Sequence, residues 1–459
     1  MSEPLILLGG GCTGPLLGLL LARRGHAVRI FERRPDARRV ALPAGRSINL
    51  ALAARGIAAL ERAGLMPMLQ PLLVPMAGRR VHEVGEPSRF LPYGQQSHEL
   101  LWSVGRSALN QALTRAAEAA GVEFHFEHAC RGADFDRGTV AIEDLARSRL
   151  LEVAMRPLIA ADGAGSALRQ AMAAARLTRT HEEPLAHGYK ELEIPAGPGG
   201  EYLLEADALH IWPRGGYMLI ALPNCDGTFT ATLFLPRHGT TTSFEALATP
   251  GAARALFATE FSDVLALILD FDRQYAGNPV GPLATIRTAP WHVGGQALLI
   301  GDAAHAIVPF HGQGLNCAFE DCVVLDDLLA LGLDWASCFA RFDAARQGDT
   351  AAIGRMALEN YLEMRDTVRE PSFALHKELS LALERRHPGR FVPRYSMVMF
   401  HAEIPYGEAE RRGAIQATLL DEATAGIGAL TEVDWLRLDE AIRARLPMLR
   451  PGDAVASGS

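Results

Sequence analysis

The sequence has no Cys-x-x-Cys pair. Its six cysteines, Cys12, Cys130, Cys225, Cys317, Cys322 and Cys338, are scattered through 459 residues. That scatter excludes a zinc ribbon and a dithiol redox motif, and it fits reduced thiols. Basic residues are not in excess either. Lys and Arg number 45 against 53 Asp and Glu, giving a net charge of -8 and a pI near 6.0. A nucleic-acid binder normally presents a basic face, and the doublets Arg33-Arg34 and Arg38-Arg39 read as solvated surface. No apolar run reaches the roughly 18 residues of a spanning helix. The apolar stretch Leu5 to Leu8 has no basic flank before it and glycines directly after it, so it reads as a strand rather than a signal peptide. Leu446 to Ser459 read as a polar tail. Low-complexity tracts are also missing. With 49% hydrophobic and 21% charged residues, the chain can bury a large core without disulfide or metal staples. The expectation is a soluble, cytoplasmic protein with neither a nucleic-acid nor a membrane partner.

What is present begins at the N-terminus. Leu5-Ile6-Leu7-Leu8 reads as a buried parallel strand and Gly9-Gly10-Gly11-Cys12-Thr13-Gly14 as a glycine turn. Leu16 to Arg24 reads as a helix, and Val28-Arg29-Ile30-Phe31 as a second strand closed by Glu32. Strand, glycine turn, helix, strand and acid, in that order, make a Rossmann dinucleotide site. Gly9 permits the tight turn, and Gly11 lets the backbone approach a pyrophosphate. Gly14 lets the helix pack close to the sheet with its N-terminal amides toward the phosphates. A carboxylate at Glu32 accepts ribose hydroxyls and repels a 2′-phosphate, so the bound group is FAD or NAD rather than NADP. The fingerprint alone does not choose between them.

Two later segments have the same character. Leu158-Ile159-Ala160-Ala161-Asp162-Gly163 reads as a buried strand ending in a turn, with Arg169 following. Ala297-Leu298-Leu299-Ile300-Gly301-Asp302 reads as another, and Pro309-Phe310-His311-Gly312-Gln313-Gly314-Leu315-Asn316 then opens a helix that runs to about Ala330. Asp302, His305 and His311 stand at no spacing typical of zinc or iron, so no metal is expected.

These patches resemble the DG and GD motifs of the single-component FAD-dependent aromatic hydroxylases. The resemblance implies bound FAD, with Asp302 on its ribityl chain and the helix opening at Gly314-Leu315-Asn316 aimed at the flavin pyrimidine edge. It also implies Gly9, Gly11, Gly14, Glu32, Arg33 and Arg106 as the rest of the cofactor set, with Phe310 and His311 near the flavin face.

Longer stretches are more specific: Gly45-Arg46-Ser47-Ile48-Asn49-Leu50-Ala51-Leu52, His187-Gly188-Tyr189-Lys190-Glu191-Leu192, Leu209-His210-Ile211-Trp212-Pro213-Arg214 and Glu359-Asn360-Tyr361-Leu362-Glu363-Met364-Arg365. To about residue 410 the chain is similar to the kynurenine 3-monooxygenase branch of that family, in its soluble bacterial form. The resemblance implies hydroxylation of L-kynurenine to 3-hydroxykynurenine, a step of tryptophan degradation and of quinolinate and NAD biosynthesis. O2 and NADPH would be transient co-substrates of a monomer or homodimer. The cofactor carries the oxygen chemistry in such enzymes, so no catalytic side chain is expected, and no second glycine fingerprint marks where NADPH binds.

Carried over by motif, Arg80 in Gly78-Arg79-Arg80-Val81-His82 holds the substrate carboxylate, while Tyr93, Asn360 and Tyr395 close the clamp. A guanidinium fork suits a carboxylate. Taken alone, Arg80 reads as a surface arginine, Tyr93 as a turn aromatic and Asn360 as a polar helix-face residue. The chain departs from the family in three places. Leu315 replaces a usual methionine, the link from Arg80 to Tyr93 is one residue short, and Arg346 to Thr350 lacks a proline. Two rival readings are a hydroxylase of another aromatic acid and a non-catalytic flavin redox sensor.

The expected fold is α/β: a Rossmann-like FAD domain with a doubly wound parallel sheet, an inserted, mostly antiparallel substrate-domain sheet, and a helical C-terminal region. The FAD domain would take residues 1–92, 107–174 and 288–368. The substrate domain would take 93–106 and 175–287, with strands at 208–212, 217–222 and 229–234. Residues 340–385 read as helix, and 369–459 as a helical region placing Tyr395 over the pocket.

Overall fold

The computed structural model describes residues 3–40, 49–365 and 371–449. Gly45 to Ile48 of the 45–52 motif, the expected boundary at 368/369 and residues 450–459 lie outside these.

Leu5–Leu8 is buried at all four positions because it runs between Leu158–Ala160 and Val28–Glu32, parallel to both. A strand covered on both faces needs a continuous apolar run, which is what the sequence supplies. The sheet order is His292–Val293, Ala297–Leu299, Leu158–Ala160, Leu5–Leu8, Val28–Glu32, Glu123–Phe126. Every pairing is parallel except that of the outermost His292–Val293. Three adjacent parallel strands therefore deliver the turns at Gly9, Asp162 and Gly301 to one edge of the sheet. That edge is where ligands bind in open α/β sheets. The helices Thr13–Arg23 and Gly314–Ala330 leave from this edge, and their Leu16, Leu20, Phe319 and Leu325 share one core with the sheet.

The second sheet has seven strands in the order Gly281–Ala289, Arg179–Ile194, Phe229–Pro236, Met218–Pro223, Ala208–Pro213, Gly78–Val81, Arg89–Pro92. All pairs are antiparallel except Ala208–Pro213 with Gly78–Val81. The expected first crossing at 93–106 falls earlier. The pair Gly78–Val81 and Arg89–Pro92 enters this sheet, whereas Leu101–Gly105 pairs with Asn49–Leu52 and Val74–Met76 in a separate three-stranded sheet. The short polar link at 82–88 allows the hairpin that the sequence reading passed over.

Helices follow. Trp335–Arg365 runs 31 residues and brings Arg346, Asn360 and Tyr361 to the seam between the sheets. Pro371–Arg386, Arg394–Phe400, Tyr406–Thr424 and Trp435–Arg445 form the C-terminal region. Among the described residues no helix is long and apolar enough to cross a membrane.

Candidate active site

The nucleotide end of the site is shaped by close approach. Gly9 has φ +99°, and a Cβ there would strike the Ala161 carbonyl; one on Gly14 would strike the Gly9 carbonyl. A Cβ on Gly11 would meet nothing within 4 Å, so this backbone faces open space. The Thr13–Arg23 helix has no side-chain cap, which leaves its first amides available to an anion. Glu32 is buried and accepts from Gly10 N at 2.6 Å and from Arg34 N and Nε at 2.8 Å each. Burial opposes its charge, yet the Arg34 guanidinium and these amides hold its carboxyl below the usual range. Arg34 is thus the basic group that meets Glu32, while Arg33 is exposed with no side-chain partner among the described residues. Arg106 stands close enough to act electrostatically on Cys12, whose thiol burial pushes up to about 11. Asn110, which sequence reasoning did not mark, donates to the Gly10 carbonyl at 2.8 Å and fixes the loop.

The flavin end is built from Gly301 to Asn316. Gly301 has φ +60° and aims Asp302, half-buried and without a side-chain partner among the described residues, into the same crevice. The Gly314–Ala330 helix also lacks a side-chain cap, so the amides of Gly314, Leu315 and Asn316 remain open toward a group of partial negative charge. The Asn316 side chain is committed elsewhere. It accepts from Ala53 N at 2.8 Å and donates to the Ala51 and Gly312 carbonyls. Uncapped helix starts, a glycine cradle and an unpaired aspartate fit FAD. His311 is fully enclosed and its Nδ1 has no partner. Burial, with Arg394, Arg79 and Arg55 adding to it, lowers its pKa to about 3, so it stays neutral.

Beneath the loop lies a buried ionic network that sequence reasoning missed. Asp321 accepts from Gly301 N at 3.1 Å, meets His305 Nε2 at 2.6 Å and accepts from Arg346 Nε at 2.7 Å. Burial opposes the Asp321 charge, but His305 and Arg346 bring its pKa down to about 2. His305, Cys317 and Asp321 approach one another closely enough to suggest a metal site. The Arg346 guanidinium already holds Asp321 and lies 3.3 Å from the Cys317 sulfur, so the position of a cation is filled by the chain itself. Alongside, the Tyr406 hydroxyl donates to Gln313 at 2.8 Å, and the Arg55 guanidinium stacks 3.9 Å over the Tyr406 ring. Arg55 also holds the Val398 and Ile404 carbonyls. The loop is thereby tied to the C-terminal region.

The substrate side shows what alternation does to a double arginine. On Gly78–Val81 successive side chains point to opposite faces. Arg79 faces inward and is largely enclosed, with its guanidinium 4.9 Å over the Tyr395 ring and 5.9 Å over Tyr93. Arg80 faces the other way and pairs with Glu205 at 3.4 Å and Ser88 at 3.5 Å. The structure therefore brings Tyr93, Tyr395 and Asn360 together with Arg79, and leaves Arg80 outside the group. Burial opposes the Arg79 charge, but Tyr395, Tyr93 and Glu363 hold its pKa above the ordinary value. Tyr93 and Tyr395 stack at 5.8 Å, and His311 stacks on Tyr395 at 5.7 Å. Asn360 donates to the Phe310 carbonyl at 2.6 Å, and Phe310 lies between Tyr361 at 4.0 Å and Phe234 at 5.0 Å. The result is a set of aromatic walls with one cationic end, beside the Phe310–His311 turn.

A dinucleotide crevice beside such walls defines a flavoprotein that acts on an anionic aromatic molecule. The FAD binding domain family model matches residues 3–187 and 277–347. Kynurenine 3-monooxygenase of Xanthomonas axonopodis pv. citri (strain 306) is 50% identical over 449 residues, covering 98% of each chain. The enzyme of the same name from Myxococcus xanthus (strain DK1622) is 44% identical over 97% of this chain and 96% of its own. Among solved structures, the tetrameric form of 2-methyl-3-hydroxypyridine-5-carboxylic acid oxygenase aligns with TM-score 0.64 at 20% identity, covering 81% of this chain and 94% of that one. PqsL of P. aeruginosa, in complex with 2-aminobenzoylacetate, aligns with TM-score 0.61 at 20% identity, covering 79% and 96%. These two likenesses establish the fold. The chain belongs to the kynurenine 3-monooxygenase family of FAD-binding monooxygenases.

Proposed function

We propose that the protein hydroxylates L-kynurenine at ring position 3, consuming NADPH and O2, with FAD as its bound cofactor. The observation that carries the substrate reading is Arg79, largely enclosed with its guanidinium against the Tyr93 and Tyr395 rings and beside the His311 turn. When bound, FAD takes up reducing equivalents from NADPH and supplies the activated oxygen atom. The chain does the rest. Gly9, Gly11, Gly14, Glu32 and Arg34 hold the nucleotide, and Asp302 and the Gly314–Asn316 amides hold the flavin end.

Arg79 receives the amino-acid carboxylate in a charge-assisted fork, and the Tyr93 and Tyr395 hydroxyls border it. Asn360 fixes the Phe310 carbonyl, so that Phe310 and Phe234 form a dry wall along the substrate ring. Neutral His311 places no charge beside the flavin loop. Six unpaired cysteines support a reducing, cytoplasmic setting, and we take the protein as a monomer or homodimer.

The test is steady-state kinetics of Arg79→Ala and Arg80→Ala. Arg79→Ala should raise the KM for kynurenine by about 10- to 100-fold, since hydrogen bonds to charged groups contribute about 1.5–3 kcal/mol. Arg80→Ala should change it by less than about threefold, and both variants should retain FAD. Equal behaviour of the two would refute this assignment of the clamp.

A further inference from the structure

We propose that a cavity at the seam between the two domains, distinct from the kynurenine chamber, docks the 2′-phosphoadenosine end of NADPH. It rests on the flavin-hydroxylase reading, which requires a transient reduced dinucleotide but names no place for it. The cavity measures about 320 Å³ and lies between the strand pair 179–194/281–289 and the helix Trp335–Arg365. Clefts at domain seams are preferred ligand sites, and this volume suits one nucleotide rather than a whole dinucleotide.

Its chemistry is that of a phosphate site with an apolar bed. Arg179, His181 and Arg287 stand at the rim. The side chains of Arg179 and His181 have no partner among the described residues. Arg287 has one ion pair, with Glu183 at 3.4 Å, and both groups are about half exposed (46% and 50%). Exposed pairs of this kind are weak and exchange readily, so the guanidinium is available to a dianionic phosphate, which arginine forks bind well. The neighbouring Glu182 acts electrostatically on Arg169.

The interior is built to receive a hydrogen-bonding ligand. Thr285 is 3% exposed, its Oγ1 has no partner, and it lines the cavity. A buried polar atom left unpaired costs stability unless something supplies the missing bond. Ile307, Ala351 and Gly354 provide apolar contact for a purine. The inner wall includes His305, which closes the short helix Asp302–His305. The cavity thus abuts the same turn that presents Asp302 to the flavin crevice, on its opposite side.

The experiment uses the FAD-loaded protein. Flavin reduction is followed anaerobically over a range of NADPH concentrations, and binding of adenosine 2′,5′-bisphosphate is measured by titration calorimetry. Arg179→Ser and Arg287→Ser should each raise the NADPH dissociation constant at least about tenfold. The limiting reduction rate, FAD content and kynurenine affinity should stay within twofold. Adenosine 2′,5′-bisphosphate should bind the wild type and lose affinity in both variants, while inorganic phosphate at equal concentration should not displace it.

An unchanged NADPH constant, or full displacement by inorganic phosphate, would overturn the proposal. If NADPH fails to reduce the wild-type flavin, the monooxygenase reading falls, and the calorimetry decides the cavity separately. To guard against loss of fold, Arg287→Lys should recover part of the affinity, and failure of that recovery counts against the site.

Discussion

Arg79 and Arg80 are one position apart and share almost no environment. One is enclosed with two tyrosines, and the other pairs with Glu205 near the surface. Neither residue's neighbours in sequence tell which of the two faces the chamber. Strand register decides it, and register here is set by the pairing of Gly78–Val81 with Ala208–Pro213 and Arg89–Pro92.

The same scale carries a pH prediction. His210 is fully buried, with His82 Nε2 2.9 Å from its Nδ1 and the Glu205 carbonyl 2.9 Å from its Nε2. Desolvation by burial, with the His82 charge adding to it, lowers the His210 pKa to about 4. An unfolded histidine titrates near 6.5, so between about pH 6.5 and 4 the unfolded chain binds the extra proton. Stability contributed by neutral His210 is therefore complete above pH 6.5 and is lost progressively as pH falls toward 4. Urea denaturation at stepped pH should show this slope, and His210→Asn should flatten it; an unaltered slope would assign it to other groups.

At the scale of elements, the loop from Gly301 to Asn316 is held from below by Asp321 and from the side by Tyr406. Asp321→Asn would remove one of the two carboxylates closest to buried Arg346 and leave Glu320 at 2.8 Å, so the cost should fall below the roughly 3–5 kcal/mol of a fully orphaned buried charge. Chemical denaturation should show a destabilisation of about 1–3 kcal/mol together with weakened FAD retention, because the single amide oxygen of Asn cannot serve Gly301 N, His305 and Arg346 together. Tyr406→Phe removes one buried hydrogen bond and leaves Gln313 Oε1 unsatisfied, a cost of about 1–3 kcal/mol. Its mark should be a changed visible spectrum of bound FAD, read against wild type at matched occupancy.

Much of this level was legible in the chain. The 5–32 unit and the 208–236 strands appear where the apolar pattern places them, to a residue or two for the strands, while the first helix starts three residues early at Thr13. The first strands of the substrate sheet were not, because Gly78–Val81 and Arg89–Pro92 are short, charged and partly exposed and leave no periodic signal. The Arg55–Tyr406–Gln313 contacts join positions about 350 and 90 residues apart in the chain, and nothing local announces such a meeting.

For the whole molecule, the two sheets and the C-terminal helices converge on one chamber whose walls come from every part of the chain. Tyr93, Phe234, Phe310, Asn360 and Tyr395 belong to five separate segments, so the site exists only in the complete fold. That convergence sets the cationic end at Arg79 close to the flavin loop through Tyr395 and His311.

The most direct measurement is NADPH consumption by the FAD-loaded protein with and without L-kynurenine, with the products identified by mass spectrometry. Hydroxylation of L-kynurenine by this chain predicts kynurenine-dependent consumption and a product heavier by one oxygen atom. Consumption that yields only hydrogen peroxide, or no response to kynurenine in protein shown to hold FAD, would contradict it.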